Sequence, residues 1–261
     1  MKIVAIANQK GGVAKTTTAI NLAAALAERG QSVLLIDLDP QGNASTGLGI
    51  GPERREASSY DLLLGEALPS DIALETATPG LWVVPATTAL SSTDVELQNA
   101  ARRAYHLKNR LSADQRLQRR FQTVLIDCPP SLNLLTVNAL VAAHSVLIPL
   151  QSEFFALEGL SQLMRTISDI RTTANPRLRY EGVLLTMHDP RNNLAQQVER
   201  DARETLGDLV YRTVIPRNVR LSEAPSHAVP ALIYDPESKG AQAYRALADE
   251  FLAANIPGAA L

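Results

Sequence analysis

Short apolar runs alternate along the chain with longer segments in which apolar residues recur every three or four positions. The runs predict strands at residues 3–7, 32–36, 81–85, 123–126, 145–150, 181–187 and 209–215. The longer segments predict helices at residues 16–29, 59–64, 92–111, 132–143, 156–172, 192–206 and 238–254. We therefore expect an α/β protein with three layers, in which helices cover both faces of a mostly parallel, twisted sheet.

The predicted elements follow one another without a repeat or a linker, so we expect one domain over residues 1–261. The pattern of apolar residues is less regular at residues 53–120. Within this region, residues 116–120 are predicted to be a basic, solvent-exposed segment that leads into the next strand. Residues 47–52 are predicted as loop, and 216–229 as a long loop with room for one helical turn. Asn133, Asn138, His144 and Pro149 interrupt the longest apolar region, which predicts a buried helix and strand and no membrane span.

Composition narrows the classes of function. The net charge of −2 gives no global basic field, so any contact with nucleic acid needs a local patch. Cys128 is the one cysteine, which excludes an internal disulfide and a cysteine metal cluster and favours a reducing cytoplasm.

Residues 8–18 read NQKGGVAKTTT and lie between the first predicted strand and the first predicted helix. Gly11 and Gly12 lack a Cβ, so backbone N–H groups can wrap around phosphate oxygens. Lys15 offers a charge to the β- and γ-phosphates, and the Thr16 hydroxyl can ligate Mg²⁺. This arrangement predicts a phosphate-binding loop, or P-loop, at the start of the helix.

The loop does not match the common pattern GxxxxGK[ST], because Gln9 and Ala14 stand where that pattern has glycines. It matches KGGxxK[ST], known as the deviant Walker A motif, in which Lys10 is a second lysine. By itself Lys10 also fits an ordinary solvated loop residue.

Three carboxylates follow predicted strands. Asp37 and Asp39 come after the second strand, and Asp127 ends the strand at 123–126. By themselves, Asp37 and Asp39 fit a turn cap equally well. Ligands of parallel sheets bind at the carboxyl ends of the strands, so beside a phosphate loop these carboxylates predict a Mg²⁺ site. Cys128 is predicted to be a small buried residue.

Four separated segments resemble the ParA/MinD group of ATPases, and most closely the chromosomal ParA (Soj) proteins of DNA segregation. They read KGGVAKTTTAINLA, DLDPQGNASTGLG, IDCPPSLNLLTVNAL and IPRNVRLSEAPSH. The resemblance implies the deviant Walker A class of P-loop fold, with ATP and Mg²⁺ as cofactors. It also implies that Thr16 and Asp127 hold the metal, that Asp39 positions the attacking water, and that Asp37 is a nearby acidic partner of the metal shell.

The resemblance also implies a homodimer that encloses two ATP molecules. Lys10 would reach the phosphates of the partner subunit and, with Lys15 and Asp39, would be catalytic. The segment EFFALEG at 153–159 would lie at the dimer face. The implied nucleotide-binding residues are Lys10, Gly11, Gly12, Val13, Ala14, Lys15, Thr16 and Thr17, with Met187, Pro216 and Asn218 around the base.

Ala14 departs from the family's usual KGGVGKTT. We expect a position that prefers positive φ there, with a strain of about 1 kcal/mol for alanine. We expect the protein to bind nucleotide despite Ala14, and we expect this residue to affect the rate of hydrolysis.

The resemblance implies non-specific binding of double-stranded DNA and a ParB-like partner that stimulates hydrolysis, for a protein that is cytoplasmic and nucleoid-associated. Arg191, Arg217 and Arg220 would contact DNA phosphates, although each also fits an ordinary solvated charge. Ala228 and Val229 replace a frequent Gly-Lys of the family. The patch would be widened by Arg200, Arg203, Lys239 and Arg245.

Three other functions belong to proteins with a similar phosphate loop. A MinD-like regulator of the division site needs a basic amphipathic tail, whereas residues 249–261 contain no lysine or arginine. A redox ATPase like the nitrogenase iron protein needs two cluster cysteines and is excluded by the single Cys128. A ParA-like ATPase that positions a protein cargo remains an alternative function.

The chain starts at its first strand, so we expect no helix-turn-helix extension for operator binding.

Overall fold

A computed structural model of the chain describes residues 1–153 and 156–254, without the side chains of 156–158. Phe154 and Phe155, which belong to the predicted dimer-face segment, lie outside the described residues, as do positions 255–261 of the tail. No helix in the described part is long and apolar enough to cross a membrane.

The described strands form one seven-stranded sheet in the order β3-β4-β2-β5-β1-β6-β7. All neighbours are parallel except β3, which runs antiparallel to β4. This confirms the predicted fold class. The strands are β1 Lys2–Ile6, β2 Val33–Asp37, β3 Leu74–Glu75, β4 Leu81–Val84, β5 Thr123–Asp127, β6 Ser145–Gln151 and β7 Arg179–Thr186.

Helices follow most strands and return the chain to the same edge of the sheet. Most predicted helices are confirmed within one or two residues. The helices are α1 Lys15–Glu28, α2 Asn43–Gly47, α3 Ser59–Leu64, α4 Pro69–Ile72, α5 Thr93–Glu96, α6 His106–Ala113, α7 Gln115–Arg120, α8 Leu134–Ala142, α9 Ala156–Thr173, α10 Asn193–Leu206, α11 Val219–Glu223, α12 Ala231–Tyr234 and α13 Lys239–Ala253.

Two apolar clusters bury the two faces of the sheet, because successive strand residues point in opposite directions. In β1, Val4 and Ile6 pack with apolar residues of α1 and α13, whereas Ile3 and Ala5 pack with residues of α6, α8 and α9. Helix α1 is buried along most of its length. The first turn of α1, where the phosphate loop ends, is therefore held by the core.

The predicted strand at 209–215 is wrong. This segment runs beside β7, and the amides of Tyr211 and Ile215 donate to Val183 and Leu185. The amides of Arg212 and Thr213 donate instead to the Glu250 carboxylate, at 2.7 and 2.9 Å. The apolar pattern correctly indicated burial beside the sheet, but Glu250 of α13 takes the amide of Thr213, which a strand would use between the two bonds to β7.

The looser region also differs from its prediction. The helical stretch predicted at 92–111 is interrupted at Arg102, which has a φ of 56°. The approach at 116–120 is helix α7, whose N-terminus is capped by Asp114, which accepts from the amide of Arg116 at 3.1 Å. Residues 216–229 contain helix α11 and a 3₁₀ turn at Ala224–His227.

Candidate nucleotide site

The phosphate loop leaves the carboxyl end of β1 and enters α1. Its sides are tied to neighbouring strands, since the Asn8 side chain donates to the Pro149 carbonyl at 2.7 Å and the Thr186 hydroxyl to the Val13 carbonyl at 3.2 Å. Gly12 has a φ of 74°, and a Cβ added there would meet no described atom within 4 Å. The loop is thus fixed at its base and open where a phosphate would lie against its backbone.

Ala14 has φ 65° and ψ 33°, in the left-handed region, at the N-cap of α1. This bears out the expectation of positive φ at this position. Alanine there is strained by about 1 kcal/mol relative to glycine.

Lys15 is buried at the start of α1. Its Nζ donates to the carbonyl oxygen of Lys10 at 3.0 Å, across the mouth of the loop. Burial lowers the pKa of Lys15, and the negative charges of Asp127 and Asp39 partly oppose this effect. The ammonium is therefore desolvated and confined to the loop.

Asp37 and Asp127 are neighbours at the ends of the adjacent strands β2 and β5. The Asp37 carboxylate accepts from the Ser45 amide and hydroxyl at 2.9 and 2.7 Å, and from the Asp39 amide at 3.1 Å. Burial raises the pKa of Asp37 to about 6 even so. Since both carboxylate oxygens accept hydrogen bonds, the geometry favours a role for Asp37 in holding the segment after β2. Its predicted place beside the metal stays a prediction.

Asp127 has the opposite surroundings. It is fully buried, and neither carboxylate oxygen has a hydrogen-bond partner among the described residues. Burial and the charge of Asp37 raise its pKa well above the usual range, although the nearby Thr16 hydroxyl and Lys15 oppose that rise. A buried carboxylate without a partner is costly unless it binds a cation or a proton.

The residues around Asp127 fit Mg²⁺ bound together with phosphates. In the described residues no group of three or more histidine, cysteine or acidic side chains is arranged to hold a metal by itself. Mg²⁺ commonly uses one or two protein oxygens, substrate phosphates and waters. The Asp127 carboxylate and the Thr16 hydroxyl would supply such oxygens. Burial raises the pKa of the Cys128 thiol, which keeps it protonated and unsuited as a ligand.

Asp39 is buried two residues beyond the end of β2. One of its carboxylate oxygens accepts from the Gln41 amide at 3.0 Å, and its carbonyl oxygen accepts from the Gly42 amide. These contacts fix the turn that carries the carboxylate.

Lys10 lies at the open side of the loop. Its side chain is 43% exposed, and its Nζ pairs with Glu153 at 2.6 Å. Glu153 also accepts from the Gln151 side-chain amide at 2.5 Å. The sequence placed Glu153 at the dimer face without predicting this ion pair.

The predicted base-binding residues come from two segments that the structure joins. The amide of His188 donates to the Ile215 carbonyl at 3.1 Å, and the amide of Arg217 to the His188 carbonyl at 3.0 Å. Met187 and Pro216 are thereby brought to adjacent positions at the end of β7. Met187 has a φ of 51° and is 37% exposed, unusual for a large apolar residue at a strand end. The Asn218 side chain caps α11 through the Arg220 amide at 2.8 Å.

The arginines predicted to contact DNA differ in their partners. Arg191 pairs with Asp189 at 2.8 Å, and Arg220 pairs with Glu223 and Asp235 at 2.9 and 3.1 Å. Arg217 is exposed and has no ion pair among the described residues.

The wider basic patch is dispersed. Arg203 pairs with Glu199, and Arg245 with Glu28 of α1. Arg191 precedes the N-cap of α10 and Arg203 lies in its last turn, so most of the helix length separates them. Arg200 and Lys239 are exposed.

A mostly parallel sheet with a phosphate loop after the interior strand β1 and carboxylates at the ends of β2 and β5 defines a P-loop nucleotide-binding protein. Residues 1–180 match the family described as an AAA domain. The chromosome partitioning protein ParA of Caulobacter vibrioides is 58% identical over 97% of this chain and 94% of that protein. The sporulation initiation inhibitor protein Soj of Bacillus subtilis is 52% identical over 97% and 98%.

Among solved structures, a Mycobacterium smegmatis protein named cobyrinic acid a,c-diamide synthase is 41% identical over 97% of this chain and 94% of that chain, with a TM-score of 0.83. It was solved with a bound ATP analogue and magnesium. The chain belongs to the ParA/Soj family of chromosome-partitioning P-loop ATPases.

Proposed function

We propose that this protein is the ATP-hydrolysing switch of a DNA-segregation system. In the proposal, ATP drives formation of a homodimer that binds DNA without sequence preference, and a ParB-like protein stimulates hydrolysis and release. The observation that carries the proposal is the buried, unpartnered carboxylate of Asp127 behind an open phosphate loop. The negative charge of such a carboxylate would be balanced when a metal–nucleotide complex binds.

Each residue of the site has a distinct role in this proposal. The loop amides around Gly11 and Gly12 and the ammonium of Lys15 bind the β- and γ-phosphates. Thr16 and Asp127 would hold Mg²⁺, which when bound neutralises developing charge on the phosphates. Asp39 orients the attacking water. Met187, Pro216 and Asn218 surround the base.

Dimer formation supplies the remaining cation. Lys10 lies at the exposed side of the loop, where a second subunit would face it. In the dimer it leaves Glu153 and reaches the phosphates bound by the partner, where its charge stabilises the transition state. Hydrolysis therefore depends on association of two subunits.

The substitution Asp127→Asn tests the metal role, because it keeps the shape of the side chain and removes its charge. We expect Mg²⁺-dependent hydrolysis to fall by about 100-fold or more while the protein stays folded. Phosphate release and circular dichroism measure the two properties. Asp71→Asn, at an exposed carboxylate in α4, is the matched control and should keep full activity. Undiminished turnover of Asp127→Asn would contradict the proposal.

The DNA contact is tested by fluorescence anisotropy of a labelled duplex with ATP, with ADP and without nucleotide, at two salt concentrations. We expect ATP-dependent binding that weakens steeply with salt. Arg217→Glu should weaken it most, because Arg217 forms no ion pair in the described structure, and Arg191→Glu and Arg220→Glu should weaken it less. Arg171→Glu, on α9, is the control. Equal binding by all four variants would place the DNA contact elsewhere.

The partner's role has a separate test. Hydrolysis is measured with DNA alone, with a purified ParB-like protein alone, and with both together. We expect the largest stimulation with both, and none in Lys10→Ala. Full hydrolysis in the absence of both DNA and the ParB-like protein would contradict a partition switch.

A further inference from the structure

An open cavity of about 370 Å³ lies at the end of the sheet where the strands begin, opposite the nucleotide site at their carboxyl ends. It is formed where β1, β6 and β7 begin and where α8 ends. Ile3 and Val141 are among its apolar lining residues, and Lys108, His144 and Arg177 are the basic ones. In the described part of the chain, no aspartate or glutamate lines it.

The two long cations of this cavity have no carboxylate partner. Among the described residues, neither Lys108 nor Arg177 forms an ion pair, although Lys108 lies 5.8 Å from the centre of the Tyr105 ring. Most arginines of the predicted DNA-binding patch do form ion pairs, as Arg191 and Arg220 do. The positive charge of the cavity is thus left uncompensated.

Two carbonyls at the end of α8 have a neutral side-chain partner. Basic residues often lie at such ends because the last carbonyl groups carry partial negative charge. Here the side-chain amide of Asn175 donates to the carbonyls of Leu140 and Ala143, at 3.0 and 2.8 Å. A neutral donor therefore satisfies these two carbonyls.

His144 adds a hydrogen-bond donor. Its Nδ1 accepts from the Ile3 amide at 3.0 Å, so the neutral ring carries its proton on Nε2. Burial lowers the pKa of His144, and the positive charges of the amino group at residue 1 and of Lys2 lower it further. Lys2 itself pairs with Glu181 at 2.5 Å. The ring thus lies in a positive field and offers an N–H group.

The surface next to the cavity is also basic. Residues 102–120 contain seven lysines and arginines and one aspartate, although the whole chain has a net charge of −2. Arg116, Arg119 and Arg120 share one face of α7 because of their spacing. Only Arg116 of these three forms an ion pair with a carboxylate in the described structure. An approaching anion would be attracted to this edge of the sheet.

We propose that this cavity binds a phosphate group through Lys108, Arg177 and His144. Arginine and lysine are the usual cationic donors to phosphate oxygens. The phosphate has two possible sources, a small phosphate anion and the backbone of double-stranded DNA. A DNA source would give the proposed dimer a second contact surface, on the edge away from its nucleotides, and that source alone depends on the proposed function.

The first arm of the test uses inorganic pyrophosphate, with the nucleotide site saturated by Mg²⁺-ADP and the free Mg²⁺ held constant. The imidazole resonances of His144, assigned with His144→Gln, report local binding. We expect a saturable shift below about 1 mM, and an affinity at least about 10-fold weaker in Lys108→Gln/Arg177→Gln. Arg171→Gln, outside the cavity, should bind like the unmodified protein. Each single variant is measured as well, in case the double variant unfolds.

The second arm measures duplex binding with ATP at several salt concentrations. Each lost phosphate contact lowers the salt slope by about 0.9, so the double variant should lose up to about 1.8 if both cations contact DNA. Pyrophosphate binding with a changed slope supports the DNA source, and pyrophosphate binding with an unchanged slope supports a small anion. No His144 shift together with an unchanged slope overturns the proposal. ATP hydrolysis without DNA should be unaltered in these variants, and its absence in the unmodified protein would instead contradict the proposed function.

Discussion

The two ends of the phosphate loop hold their lysines in opposite ways. Lys15, where the loop enters α1, is buried and donates to a backbone carbonyl of the same loop. Lys10, five residues earlier, extends into solvent and pairs with Glu153 from the segment after β6. The two side chains have the same chemistry, so their surroundings decide what each can do.

The difference separates a fixed charge from one that is free to change partners. Lys15 cannot leave the loop without breaking a partly buried hydrogen bond and exposing its buried side chain. An exposed ion pair such as Lys10–Glu153 contributes about 0–1 kcal/mol, so Lys10 can exchange Glu153 for a phosphate at little cost. We infer that one end of the loop is built for binding and the other for a partner-dependent step.

The largest effect should come from removing the two lysines separately. We expect Lys15→Ala to lose nucleotide binding, and Lys10→Ala to keep binding while hydrolysis falls by about 100-fold or more. Binding of a fluorescent ATP analogue and phosphate release measure the two properties. Equal losses of binding in both variants would break the distinction between the two ends of the loop.

Mixed dimers decide whether Lys10 acts on the partner's nucleotide. Lys10→Ala and Asp39→Ala should each be inactive alone. In a mixed dimer, the Lys10→Ala subunit keeps its own Asp39 and receives Lys10 from its partner, which restores one site. An equimolar mixture should regain about a quarter of full activity if subunits pair at random. No recovery, with mixed dimers demonstrated by pull-down, would contradict action in trans.

A smaller effect is expected from Glu153→Gln, which removes the charge that holds Lys10 within its own subunit. Lys10 would then be released at lower cost, and hydrolysis should rise by about 2- to 5-fold. The rise should be smaller at high salt, which already weakens the ion pair. Asp71→Asn, which breaks the exposed pair with Arg116, is the matched control and should change nothing. A lower rate in Glu153→Gln would mean that Glu153 assists the step.

The sequence predicted the sheet, most helices and the place of the phosphate loop because these depend on local patterns. Apolar runs of four to seven residues mark buried strands in whatever order they pair. Gly11, Gly12 and Lys15 mark the loop by spacing alone. The positive φ expected at Ala14 also followed from the motif, since a glycine normally stands there.

Contacts between distant segments could not be predicted in this way. Glu153 lies 143 positions from Lys10, and no spacing rule relates the two. The strand expected at 209–215 failed for the same reason, because Glu250 of α13 takes two of its amide donors. Likewise, the full set of hydrogen bonds on Asp37, in contrast to Asp127, depends on how Ser45 folds back onto β2.

The smallest effect concerns the fixed end of the loop and should appear mainly as stability. Ala14→Gly relieves a left-handed alanine, which outweighs the added freedom of the unfolded chain, so we expect a gain of about 0.5–1 kcal/mol. Urea unfolding without nucleotide measures it. Ala246→Gly, at an exposed position of helix α13, makes the same chemical change at a right-handed residue and should lose about 1 kcal/mol.

Nucleotide affinity and the rate of hydrolysis of Ala14→Gly then test whether Lys15 and Lys10 have separate roles. If Lys15 is held by the buried base of the loop, relief of strain at the residue before it should leave nucleotide affinity within about 2-fold of the original, because the burial and hydrogen bond of Lys15 are unchanged. Any larger change should appear in hydrolysis, where the methyl group of Ala14 would face the phosphates or the second subunit. A large change in nucleotide affinity with unchanged hydrolysis would show that the backbone strain at Ala14 alters how Lys15 is held.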